Sequence, residues 1–230
     1  MITKLPRWIW AGAWALAFIA GMVNVVGLLG FEHQAVTHLT GTTSMLGASV
    51  SALDVRNTLR LFGVIFSFVA GAVLSAYLIK DSTLQLGRQY GVVLLLEALL
   101  LCLAVPFLNN HSTFGDYFAS CACGLQNAMV TTYSGSVVRT THLSGMFTDL
   151  GIFLGHALRG VPVDGRRLRL CVTIISAFFC GGIAGAFAFR WLSYETLFIP
   201  AALTGFTALS YGLYRIRRGV GIRWFFNREA

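Results

Sequence analysis

Four ionisable side chains stand in stretches dominated by hydrocarbon-like residues. Glu97 lies in LLLEALLLCLA, Asp149 near the end of THLSGMFTDLG at 141–151, His142 at the start of that phrase, and His38 in THLTGTTSMLG at 37–47. Asp149 follows His142 by two helical turns, so a helix would carry both on one face. A carboxylate near the centre of a membrane helix costs roughly 2.5–3.5 kcal/mol on insertion scales, and it therefore needs a partner or a water-filled cavity. Asp149 and Glu97 are accordingly the candidates for proton coupling; the packing alternative pairs Asp149 with Arg139 or Thr140, and Glu97 with a facing backbone or hydroxyl group. Small shifts move a histidine across neutral pH, although one histidine bonding across helices is also ordinary membrane glue.

The two histidines share a context. Each opens a Thr/Ser-Gly step, at which a helix can break and leave backbone groups free for a ligand. This makes His38, Thr40, Gly41, His142, Ser144 and Gly145 candidate substrate-binding residues. Asn24, Gln126 and Asn127, amides one segment ahead of each phrase, both donate and accept; they either join that site or bond the motif backbone across the repeat axis.

Positioning these groups falls to helices in lipid. Of 230 residues, 56% are apolar and only 11% charged, against roughly a quarter in soluble domains. Six apolar segments, 8–30, 61–79, 91–108, 114–135, 170–190 and 196–214, are long enough to read as spanning helices. Two polar Gly/Thr-rich segments, 35–53 and 138–158, hold the two phrases and read as either spanning or re-entrant. The expected fold is an all-α integral membrane protein, one domain over 1–230, with no soluble domain. Lys4 and Arg7 precede a first segment too long for a signal peptide and lacking a small-residue cleavage site, so it is expected to be retained. The five cysteines lie in apolar segments and form neither a disulfide framework nor a metal site.

The net charge of +8 gathers at segment ends, which is a topological pattern and not a nucleic-acid footprint. Both termini are expected in the cytoplasm, with the tail 215–230 against anionic lipid and Trp8, Trp10 and Trp14 in an interfacial belt. The two phrases agree at six of eleven positions, Gly21-Met-Val-Asn24 precedes one as Gly124-Leu-Gln-Asn127 precedes the other, and a small-xxx-small pair follows each, Gly71 with Ser75 and Gly181 with Gly185. These agreements imply a tandem internal repeat of about 100 residues, repeat one 8–108 and repeat two 112–214, inverted if each half has three spans and parallel if it has four.

GMVNVVGLLG with THLTGTTSMLG, and GLQNAMV with RTTHLSGMFTDLG, resemble the two motifs of the YoaK-like family of small bacterial membrane proteins, which carries a domain of unknown function. The resemblance covers essentially the whole chain and implies a multi-pass inner-membrane protein with about six spans and no assigned activity. His38-Leu39-Thr40-Gly41-Thr42 stands where the family usually has N-M-T-G-N, which implies a different ligand preference in the first half.

The leading functional expectation is a secondary transporter or permease for a small polar solute, coupled to protons through Asp149 or Glu97. No G-x-x-x-x-G-K-[ST] points to ATP, and no cofactor is implied. The alternatives are an intramembrane enzyme on a lipid or isoprenoid substrate, for which no G-x-S-x-G or H-E-x-x-H is present, and a non-catalytic assembly or sensor protein. Homo-oligomerisation stays open.

Overall fold

Two aspartates start the two longest helices. Asp54 accepts a hydrogen bond from the Asn57 amide at 3.0 Å, and Asp164 accepts from the amides of Arg166 and Arg167 at 3.0 and 3.4 Å, satisfying groups that a helix N-terminus leaves free. A computed structural model describes residues 7–79, 88–134 and 140–217. Within them the order is α1 (Arg7–Leu29), α2 (Leu39–Ser51), α3 (Val55–Leu78), α4 (Arg88–Asn109), α5 (Phe114–Ser134), α6 (Leu143–Leu158), α7 (Gly165–Leu192), a 3-10 turn (Ser193–Leu197) and α8 (Phe198–Arg217), with no strand among the described residues. The tail from 218, the segment 135–139 that holds Arg139, and the Trp8 side chain lie outside the description.

The protein is helical and built like a membrane protein. Trp10–Leu29, Val55–Leu78, Gln89–Asn109 and the stretch Gly165–Leu213 through α7 and α8 are long and apolar enough to cross a bilayer. α5 is of similar length at 21 residues, but Asp116, Ser120, Gln126 and Asn127 make it more polar. α2 and α6, at 13 and 16 residues, reach only about 20 and 24 Å at 1.5 Å per residue, short of a hydrocarbon core of about 30 Å. Large apolar side chains such as Phe62, Phe66, Phe179 and Phe187 point outward from α3 and α7, as lipid-facing residues do.

Glycine sets the tightest helix contacts. α1 lies parallel to α7: a Cβ on Gly21 would strike the carbonyl of Phe178, and one on Gly181 would strike that of Phe18. α5 lies parallel to α3 in the same way, Gly124 against the carbonyl of Phe68 and Gly71 against that of Cys121. Here no side chain fits, because the backbones themselves meet. α4 runs antiparallel to α8, with Ala98 beside Gly205 and Gly91 beside Tyr211.

Two apolar clusters occupy opposite ends of this bundle. One gathers Ala13, Val93, Met129, Met146, Leu170 and Ile174; the other gathers Val26, Val36, Leu108, Ala119, Tyr194 and Leu197. α2 packs on α3 and α6 on α7, each a short helix laid against the span that follows it.

Candidate functional site

After α1 the chain turns back instead of leaving. The Gln34 amide donates to the carbonyl of Gly27 at 3.1 Å, and Thr37 Oγ1 donates to Asn24 Oδ1 at 2.8 Å, so residues 30–38 descend along the helix they have just left. α2 then starts beside Asn24 and returns to Asp54, where Asn57 Nδ2 donates to Ser49 Oγ at 3.1 Å. The second half shows the same bond: Thr141 Oγ1 donates to Asn127 Oδ1 at 2.9 Å, and α6 begins immediately afterwards. Threonine suits the task, because its hydroxyl caps an amide oxygen that apolar surroundings would otherwise leave without a donor.

The dipping segment of the first half meets α5 of the second. Asn127 Nδ2 donates to the backbone carbonyl of Thr37 at 3.4 Å, linking the second half to the tip of the first. Asn24, Thr37, Gln126, Thr140 and Thr141 are all buried around this link. Gln34 Nε2 adds a bond to Thr42 Oγ1 at 3.2 Å. Among the described residues Gln126 Nε2, Thr140 Oγ1 and Gln34 Oε1 find no hydrogen-bond partner. Buried groups of this kind cost about 1–3 kcal/mol each when left unpaired. α2 and α6 both begin at this centre, so both helices point a positive dipole end toward it.

The residues singled out from sequence divide into two sets. Asn24, Gln126 and Asn127 belong to the centre, and the amides of Asn24 and Asn127 bond the motif threonines. His38 and His142 are the residues from which α2 and α6 start, and neither side chain caps its helix. His38 is half-buried and His142 exposed; the His142 ring folds over its own first turn, where Gly145 leaves room for it. Thr40, Gly41 and Ser144 are exposed on the outer faces of α2 and α6, which do not touch one another. Asp149 is also exposed and makes no ion pair among the described residues, whereas Thr140, one of the partners considered for it, is buried at the centre. Glu97 is 2% exposed in α4, and its Oε2 has no hydrogen-bond partner.

Sequence reasoning passes over Thr37 and Thr141, although each is the first letter of its phrase and recurs in both halves. It also passes over a charged group at the end of the bundle. Glu32, in the loop after α1, forms an ion pair with Arg60 of α3, whose Nη2 and Nε also donate to Asn57 Oδ1 at 2.7 and 3.0 Å. Asp116 of α5 and Glu32 both line a small cavity there, with Tyr194 and Leu108. Three elements distant in sequence supply these charges, so no local motif announces them.

No curated protein and no solved structure matches the chain. The model of one family, described as "Protein of unknown function (DUF1275)", matches residues 12–210, nearly the whole helical bundle. The chain therefore belongs to that family, in agreement with the YoaK-like motifs that surround Asn24, Asn127 and the two histidines.

Proposed function

We propose that this protein is a secondary transporter or permease for a small polar solute, whose seat lies where the segment 30–38 meets Asn127 of α5 beside the start of α6. One observation carries the reading: Thr37, Asn24, Asn127 and Thr141 form a buried hydrogen-bonded link between the starts of two short helices, with unpartnered polar atoms around it. Broken helices that bring dipole ends and free polar groups to a repeat interface are how many transporters hold a solute within the membrane.

On this reading the chain is a duplication with inverted halves. Supporting it, the Gly21–Phe178 contact has its counterpart in Gly124–Phe68, and Gly181–Phe18 in Gly71–Cys121, while the two Thr–Asn bonds occupy matching places. α1, α3 and α4 cross in one half and α5, α7 and α8 in the other; α2 and α6 are re-entrant. The termini then share one side, which the basic residues of 215–230 mark as the cytoplasm of a bacterial inner membrane. Glu97, buried in α4, carries the exchangeable proton, a role that suits it better than the exposed Asp149. The motif residues His38, Thr40, Gly41, His142, Ser144 and Gly145 hold the solute only as it passes along the starts of α2 and α6.

A second reading, self-assembly, draws on the open space around Gly41, Gly47, Gly151 and Gly155 on the outer faces of α2 and α6. Small residues there would let a second copy approach closely.

The test is reconstitution into vesicles with an imposed pH gradient, using the amino acids, sugars and organic acids that raise the thermal stability of the purified protein. Thr37→Val and Thr141→Val should abolish both the stabilisation and the flux while the protein stays folded. Full flux in both variants would remove the seat from this centre.

A further inference from the structure

Two carboxyl groups line the cavity beside Tyr194, and one of them is paired with a cation. Asp116 is 4% exposed, lines the cavity, and leaves Oδ2 without a hydrogen-bond partner. Glu32 lines the same cavity and is held in an ion pair by Arg60, their side chains 23% and 12% exposed. Arg60 cannot lose its proton, so this partly enclosed place holds one fixed positive charge for two acids. Charge balance is met when one carboxyl is ionised against Arg60 and the other is protonated. The other polar groups around Asp116 do not alter the count. Tyr194 Oη accepts from the Phe31 amide at 2.6 Å, Tyr117 packs under Gly63, and His111, His33 and Glu195 are exposed to solvent.

We propose that Glu32, Arg60 and Asp116 form a proton-operated latch: while Asp116 is protonated Arg60 holds Glu32, and when Asp116 releases its proton to water in the cavity mouth the guanidinium transfers to Asp116. No covalent bond other than the carboxyl O–H changes, and the vacated Glu32 takes up a proton to restore neutrality. The consequence is mechanical. Glu32 stands in the segment 30–38 that carries Thr37 to the centre, so release of Glu32 frees the segment on which one wall of the seat is built. The inference rests on the transport reading for its purpose, but its test needs no solute.

Thermal unfolding of the full-length protein in detergent at neutral pH decides it with three variants. Glu32→Gln and Asp116→Asn each leave Arg60 one carboxylate and should unfold within a few degrees of wild type. The double variant leaves the guanidinium, whose Nη1 is buried, without a carboxylate and should unfold below the sum of the single shifts. If Asp116 is a bystander to an ordinary ion pair, Glu32→Gln alone will be as damaging as the double variant, and the latch is overturned; additive shifts overturn it equally. Infrared spectra supply an independent signature. Wild type should show the carbonyl stretch of a buried protonated carboxyl that Asp116→Asn removes, and Glu32→Gln should remove it too, because Asp116 is then ionised against Arg60. Persistence of that band in Glu32→Gln would refute the switch while leaving the transport reading untouched.

Discussion

The two ends of the bundle are built on the same glycine contacts and differ in chemistry. At one end Glu32 and Asp116 line a cavity and Arg60 pairs with Glu32; at the other Ala13, Leu170, Ile174 and Met146 pack against each other without a charge among them. Under the proposed duplication, Leu170 stands where the first half has Arg60, Ala13 where the second has Asp116, and Met146 where the first has Thr42. The backbone-to-backbone contacts of Gly21, Gly71, Gly124 and Gly181 nevertheless persist on both sides. The difference separates two constraints: shape is maintained by residues that cannot carry a Cβ, while among the described residues a carboxyl-lined cavity stands at one end and the ion pair at the other, Arg167 with Asp164, is exposed.

The harshest way to break this comparison is to force the helices apart. Gly71→Leu and Gly181→Leu place a side chain against a carbonyl of the facing helix, where the obstacle is backbone and cannot rotate away. Overpacking a core typically costs about 1–3 kcal/mol and more where nothing can yield. Both variants should lose the folded monodisperse species in size-exclusion chromatography. Gly205→Ala, whose Cβ would sit 3.9 Å from that of Ala98, should be tolerated and gain helix propensity. Collapse of the Gly71 variant beside a stable Gly181 variant would end the claim that both halves are held alike.

Next in size is the charge itself. Arg60→Met leaves Glu32 and Asp116 without a cation, a loss expected to fall below the roughly 3–5 kcal/mol of a fully buried pair because the Arg60 and Glu32 side chains are 12% and 23% exposed. Leu170→Met, at the apolar end, conserves volume and should cost less than about 1.5 kcal/mol. The contrast is read from thermal midpoints at neutral pH. Equal shifts would mean that the charged end is no more specialised than the dry one.

A smaller effect separates the two amides at the centre. Among the described residues Asn127 makes two bonds, accepting from Thr141 and donating to the Thr37 carbonyl, whereas Asn24 accepts from Thr37 alone. Net hydrogen-bond contributions of about 1 kcal/mol each imply that Asn127→Ala destabilises more than Asn24→Ala. Thermal denaturation of the two purified variants checks the order, and the reverse order would show that the Asn127 link between the halves carries no load.

Apolar runs alone make most of the helices legible, yet the boundaries move where capping intervenes. The run expected from 61 begins as a helix at Val55, because Asp54 caps it and Arg60 finds Glu32; the run expected from 170 begins at Gly165 behind Asp164. The weak segments 35–53 and 138–158 hold helices that start only at Leu39 and Leu143, after the chain has dipped to Asn24 and Asn127. At the centre, Asn24, Gln126 and Asn127 are readable as amides in apolar helices. Thr37 and Thr141 are not, since a threonine is equally at home facing lipid and only the backbone path shows which way it turns. Glu32, Arg60 and Asp116 are unreadable for a different reason: their proximity exists only after α1, α3 and α5 have packed.

The mildest variant sharpens the comparison between two carboxyl groups that look equally anomalous in the sequence. Asp149 is exposed on α6 and Glu97 is sealed in α4, so neutralising them should act on different properties. Asp149→Asn removes a charge that no described basic residue pairs with, and substitutions at such positions shift stability by no more than about 0.5 kcal/mol. Glu97→Gln keeps the volume of a protonated carboxyl and its capacity to hydrogen-bond, so the fold should also survive, but the exchangeable proton is gone. In vesicles, Glu97→Gln should retain solute exchange and lose its dependence on the pH gradient, while Asp149→Asn should keep both. Uncoupled flux in Asp149→Asn beside normal coupling in Glu97→Gln would transfer the proton-carrying role to α6. It would also mean that the outer face of that helix is covered in the membrane, because a working proton site cannot stand in bare lipid.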